Sequence, residues 1–240
     1  MALVHCETTT GLLNPLAEIA AIVAGSGRKL LVDVMSSFGA LPIDLRQLPI
    51  AALMASSNKC LEGVSGLGFA LVEKTVLAGA RGVCPSLSLD LFEQWRGFEA
   101  NGQWRFTPPV QVVAALVAAL RQLEEEGGAA ARLSRYQKNF DVLWAGMRAL
   151  GFLLFLDAAV QAPIIATFHS PPEPWFQFER FYHGLAARGF LIYPGKLSQA
   201  ESFRIGCIGA IEPADFRQLL MAIGEVVGEM KDMGLAEGRT

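Results

Sequence analysis

In this 240-residue chain the residues that could do chemistry sit where apolar runs stop. Met54-Ala55-Ser56-Ser57-Asn58-Lys59-Cys60 is the clearest case, an apolar run that ends in small polar residues and then presents one lysine. An amine held on such a turn at a sheet edge, partly removed from water, has a lowered pKa and can act as a Schiff-base nucleophile. The competing reading of Lys59 is a solvated loop residue. Asp33 lies near the C-terminal end of the apolar run 29–34, where a carboxylate either caps a loop or serves a ligand. Thr8, in the hydroxyl-rich turn Glu7-Thr8-Thr9-Thr10-Gly11, is a donor to a ligand oxygen or an ordinary turn hydroxyl. Arg204 opens Arg204-Ile205-Gly206, where a planar donor fork would hold a carboxylate or phosphonate, or else make a surface ion pair.

Taken together, Asp33 and Lys59 on neighbouring strand ends suit pyridoxal phosphate. That cofactor needs a lysine for its aldehyde and a carboxylate at its pyridine nitrogen, because the protonated ring is the electron sink. The elements that would position them follow an α/β pattern. A strand at 2–6 leads through the Thr8 turn to a helix that starts at Asn14-Pro15 and closes at Gly25-Ser26-Gly27. Strands at 29–34, 52–56 and 69–72 follow, with Asp33 and Lys59 at the ends of the first two.

The stretch 97–109 reads as irregular and aromatic, with Trp104 and Phe106 leading into Thr107-Pro108-Pro109. Helices at 110–126 and 129–150, a strand at 164–168, a helix at 175–188, strands at 190–193 and 203–205 and a last helix at 213–233 make a second, α+β part. The expected division is 1–105 for the ligand-bearing domain, 106–130 for a connecting segment and helix, and 131–240 for the small domain. A chain that opens directly on a strand, with no turn or cap before it, reads as one entered in mid-domain.

Composition narrows the class. The chain is 52% hydrophobic and only 18% charged, with a mean hydropathy of +0.36, which is apolar for a soluble protein. Its longest apolar stretches, 19–24 and 112–120, are far shorter than a membrane span of about 20 residues. A net charge of −3 with scattered cations argues against nucleic acid as a partner. The four cysteines are widely spaced, forming neither a zinc set nor a disulfide framework, so no metal is expected and a reduced, cytoplasmic setting is.

Six segments together resemble the class V aminotransferases, which are fold-type-I enzymes dependent on pyridoxal 5'-phosphate. They are residues 5–11, residues 32–39 (Val-Asp-Val-Met-Ser-Ser-Phe-Gly), residues 56–60, Arg105-Phe106-Thr107-Pro108-Pro109, residues 192–196 and residues 203–206. The branch they resemble moves the amino group of 2-aminoethylphosphonate to pyruvate; alanine–glyoxylate and serine–pyruvate enzymes, or a non-catalytic fragment, are the alternatives. The resemblance implies that Lys59 bonds the cofactor, Asp33 pairs with its ring nitrogen and Thr8 contacts its ring oxygen. It further implies that Asn58 lies near the phosphate, Thr107 reaches the phosphate of the other subunit in a homodimer, and Arg204 binds the anionic end of the substrate. Lys196 does not match the cofactor-bonding position. The match corresponds to the C-terminal two-thirds of those enzymes, so an exposed apolar sheet surface and an unpaired strand edge are expected.

Overall fold

The computed structural model describes residues 1–195 and 200–237, and divides the chain into two compact units: Met1–His5 with Pro15–Ala129, and Cys6–Asn14 with Ala130–Thr240. In chain order the elements begin with β1 (Ala2–Val4), the antiparallel pair β2 (Cys6–Glu7) and β3 (Leu12–Leu13), α1 (Leu16–Gly25), β4 (Leu31–Asp33), β5 (Ala52–Ser56) and β6 (Gly68–Val72). They continue with α2 (Lys74–Ala78), α3 (Leu91–Asn101), α4 (Val110–Glu126), α5 (Gly128–Ala149), β7 (Ile165–His169), α6 (Phe178–Ala187), β8 (Tyr193–Pro194), β9 (Ser202–Gly206) and α7 (Pro213–Glu237).

The first unit is built on a four-stranded sheet in the order β1-β4-β5-β6, with β1, β4 and β5 parallel and β6 antiparallel to β5. Leu16, Ala20 and Val23, spaced four and three apart, give α1 one buried face. That face packs with Leu30, Val32, Val34, Leu53 and Ala55 of the parallel strands and their flanks to form the core. Because β4 and β5 run parallel and in register, with Asp33 opposite Met54, their C-terminal ends open on the same edge of the sheet.

One element in this unit differs from the pattern read in the sequence. Instead of an irregular stretch starting at Gly97, α3 runs through that glycine to Asn101, capped by the Asp90 carboxylate, which accepts from the Glu93 amide at 3.1 Å. A Cβ on Gly97 would lie 3.4 Å from the Gln103 carbonyl oxygen and 3.5 Å from the Arg105 side chain. The glycine therefore serves the close return of the chain, at a helix cost of about 1 kcal/mol that packing overrides.

The second unit carries a three-stranded antiparallel sheet, β7-β9-β8, with α5, α6 and α7. Its core gathers phenylalanines around Phe203, whose ring centroid lies 5.2 Å from that of Phe181, 5.5 Å from Phe152 and 5.7 Å from Phe168. α6 begins at Phe178 rather than Trp175, because the chain from Pro171 to Gln177 is spent on a turn and an extended residue before the helix. Of the expected strand 190–193 only Tyr193 joins the sheet, together with Pro194 from the expected turn; the Phe190 amide is already used, donating to the Leu185 carbonyl at 3.0 Å as α6 closes. Among the described residues no helix is long and apolar enough to cross a membrane.

Candidate functional site

Two turns follow the parallel strands of the first unit, and they are tied to each other. The turn after β4 starts at Val34, whose carbonyl accepts from the amides of Ser37 at 3.0 Å and Phe38 at 2.9 Å. Asp33 immediately precedes it and is partly buried; its Oδ1 accepts from the Met35 amide at 2.8 Å, which fixes the carboxylate at the strand end. The turn after β5 is closed by the Glu62 amide on the Lys59 carbonyl at 2.9 Å and the Gly63 amide on the Ser57 carbonyl at 2.8 Å. Below it, the buried Ser57 hydroxyl donates to the Val64 carbonyl at 2.6 Å.

The tie is made by Cys60 and Gly39. The Cys60 thiol donates to the Ser36 carbonyl at 3.1 Å, and a Cβ on Gly39 would lie 2.6 Å from Leu61 Cδ2. Asp33 and Lys59 are thus carried on two turns that cannot shift independently. Cys60 is fully buried, as a small apolar residue would be, but its sulfur also does the linking.

Lys59 itself is exposed, and so is Asn58. The partial burial expected of the lysine is absent because Ser57 and Cys60, on either side of the pair, take the inward positions of the turn. Among the described residues the Lys59 amine has no hydrogen bond or ion pair, and Asp33 keeps its Oδ2 without a partner. A free amine and a free carboxylate oxygen on adjacent strand ends fit a planar aldehyde cofactor that carries an N–H on its ring. Thr107 is exposed in the lead-in to α4, and no hydrogen bond joins it to these turns among the described residues.

Thr8 and Arg204 belong to the second unit, and the structure brings them together. Arg204 is 8% exposed, which rules out a surface ion pair. Its Nη1 donates to the Thr8 carbonyl at 2.9 Å and its Nε to the Pro194 carbonyl at 3.3 Å, with the guanidinium 5.8 Å from the Tyr193 ring. Part of the fork expected for a substrate anion is therefore committed to holding main chain. Beside it, the Glu7 carboxylate is held below its usual range, first by the Thr9 hydroxyl and amide and then by the Arg204 charge. Lys196 lies outside the described residues.

Two residues that the sequence reading left without a role stand behind Asp33. His5 follows β1, donates its amide to the Asp33 carbonyl at 2.8 Å, and is 5% exposed. Its Nδ1 shares a 2.9 Å hydrogen bond with Oγ of Ser37, which is fully buried and lies 3.4 Å from the Val34 carbonyl. Burial lowers the His5 pKa from 6.5 to about 4, so the ring is neutral near pH 7. The only sequence signal was a polar residue within the first apolar run and another just past the run 29–34.

Residues 1–174 match the family model described as aminotransferase class-V. A 2-aminoethylphosphonate–pyruvate transaminase of Pseudomonas fluorescens is 54% identical over 231 residues, 96% of this chain and 63% of the relative. One of Polaromonas is 52% identical over 234 residues, 98% of this chain and 62% of the relative. The chain thus spans somewhat less than two-thirds of the relatives it matches. Among solved structures, pyridoxamine–pyruvate aminotransferase from Mesorhizobium loti superposes with a TM-score of 0.87 at 23% identity, over 96% of this chain and 60% of that one. Alanine–glyoxylate aminotransferase from Nostoc gives 0.84 at 25% identity, over 94% and 61%.

Proposed function

The chain belongs to the class V aminotransferases and has their fold, and from that premise we propose that Lys59 holds pyridoxal 5'-phosphate for the transfer of an amino group from 2-aminoethylphosphonate to pyruvate. The products are phosphonoacetaldehyde and L-alanine. The observation that carries this reading is the pair of tied turns on adjacent parallel strands, with a free Lys59 amine and a free Asp33 carboxylate oxygen. The choice of donor and acceptor rests on the names of the relatives at 52–54% identity.

When bound, the cofactor supplies an aldehyde carbon for amines and a protonated ring that accepts electrons. Lys59 would hold that carbon, and its amine, when free, would move the proton at the donor carbon that bears the nitrogen. Asp33, whose Oδ1 is taken by the Met35 amide, would offer its other oxygen to the ring nitrogen and favour the protonated ring. Thr8 serves the ring oxygen, and Asn58 the phosphate. Arg204 holds the phosphonate with the donors not spent on main chain. Thr107 serves the phosphate bound by the second copy of a homodimer. Four free cysteines suit a cytoplasmic setting. We assign 1–105 to the cofactor-bearing part, 106–130 to the connection and 131–240 to the small domain.

The test is to add pyridoxal phosphate to the purified chain, reduce with borohydride and map the labelled peptide. Label is expected on Lys59 and lost in Lys59→Ala. Label on another lysine, or none on a folded chain, overturns the assignment. Where label is found, amino transfer from 2-aminoethylphosphonate is expected to outrun transfer from alanine or serine. The reverse order makes the chain an alanine–glyoxylate or serine–pyruvate type.

A further inference from the structure

The His5–Ser37 pair is buried, polar and specific, yet it touches neither Lys59 nor the free oxygen of Asp33. Its bonds all lead to the turn that holds that carboxylate. The His5 amide extends the β1–β4 ladder one step past the Val4–Asp33 pairing and anchors the Asp33 carbonyl. The imidazole holds Ser37, and Ser37 in turn reaches the Val34 carbonyl through both its amide and its hydroxyl. Val34 lies between Asp33 and Met35, the residue whose amide fixes the carboxylate. A leucine in place of His5 would fill the space and leave the Ser37 hydroxyl and the turn with one bond fewer. Burying so polar a pair costs free energy that an apolar pair would not, and what the pair gives in return is the geometry of the turn.

We propose that His5 and Ser37 are positioning residues that set the orientation of the Asp33 carboxylate by locking the turn 34–38, and through the Cys60–Ser36 bond keep that carboxylate in register with Lys59. The use of Asp33 by a cofactor rests on the reading given under Proposed function; its positioning by His5 and Ser37 does not. The Met35 amide reports the positioning directly, since its protection against hydrogen exchange requires the bond to Asp33 Oδ1. In the chain without cofactor, His5→Leu and Ser37→Ala are expected to speed Met35 exchange by about tenfold, while the amides of α1 keep their wild-type rates. His5→Asn places an amide where Nδ1 stands and is expected to restore protection to within about threefold of wild type.

Unchanged Met35 exchange in both His5→Leu and Ser37→Ala overturns the proposal. So does a uniform loss of protection across α1, β4 and β5, which would make the pair a prop of the fold rather than of one carboxylate. Failure of His5→Asn to restore protection counts against it as well. Borohydride labelling of the same proteins separates the two readings. If wild type takes no label at Lys59 while Met35 still responds to the substitutions, the positioning stands and the cofactor reading falls.

Discussion

Burial leaves the His5 imidazole neutral, and neutrality inside a protein has a pH signature. The folded chain binds a proton at His5 only below about pH 4, whereas the unfolded chain does so from 6.5 downward. Between those values the unfolded state holds more protons, so stability is full above 6.5, falls as the pH is lowered through the window and is flat below it for this group. The gap sets an upper size for the loss of about 3 kcal/mol. Urea denaturation at pH 7.5 and pH 4.5 should show a larger loss for wild type than for His5→Asn. Equal losses would remove the imidazole as the cause. Glu7, held below the usual carboxylate range, also loses stabilisation as the pH falls, but that loss is common to wild type and His5→Asn and cancels in the comparison.

At the level of elements, the two strand-end turns depend on Gly39. Its φ of +97° is a left-handed conformation that disfavours a side chain, and the Cβ position is occupied by Leu61 and the Cys60 main chain. Gly27 shares the positive φ, at +68°, but a Cβ there meets nothing. Gly39→Ala should therefore destabilise the first unit by about 2–3 kcal/mol and Gly27→Ala by about 1 kcal/mol, as read by chemical denaturation. Equal effects would mean that the two turns are not tightly packed on each other. The strands of the first sheet and the long helices were legible in the sequence, since continuous apolar runs and a helical period declare themselves. α3 was not, because Gly97 looks like a breaker until the returning Gln103 carbonyl is seen above it. Asp33 and Lys59 were legible as residues at the ends of runs. Bonds between distant segments leave no local trace, so the His5–Ser37 pair and the hold of Arg204 on Thr8 were not. Nor does linear order reveal that the nine residues Cys6–Asn14 belong with the second unit; Gln161 bonding the Gly11 carbonyl and Thr167 the Thr9 carbonyl place them there.

Over the whole molecule, the two units have cores of very different weight. Among the described residues the cluster in the second unit holds nineteen buried residues, with six phenylalanines among them, while that of the sheet in the first unit holds eight, two of which are alanine. The first unit also leaves Val4, Leu31 and Leu71 of its strands exposed by 39–42%. Apolar burial is the main favourable term in folding and scales with the area removed from water, so the two units should not share one stability. Heating is expected to give two transitions, with the first unit melting at the lower temperature. Native-state hydrogen exchange resolves them by residue: amides of Val32 and Leu53 should lose protection at lower denaturant than those of Phe203 and Ile205. Coincident loss at all four would mean that the units unfold as one. With two transitions, the strand-end turns that carry Asp33 and Lys59 are lost with the weaker core. Pyridoxal phosphate held through Lys59 and Asp33, as proposed, would raise the lower transition, since a ligand stabilises the fold that must be present to bind it.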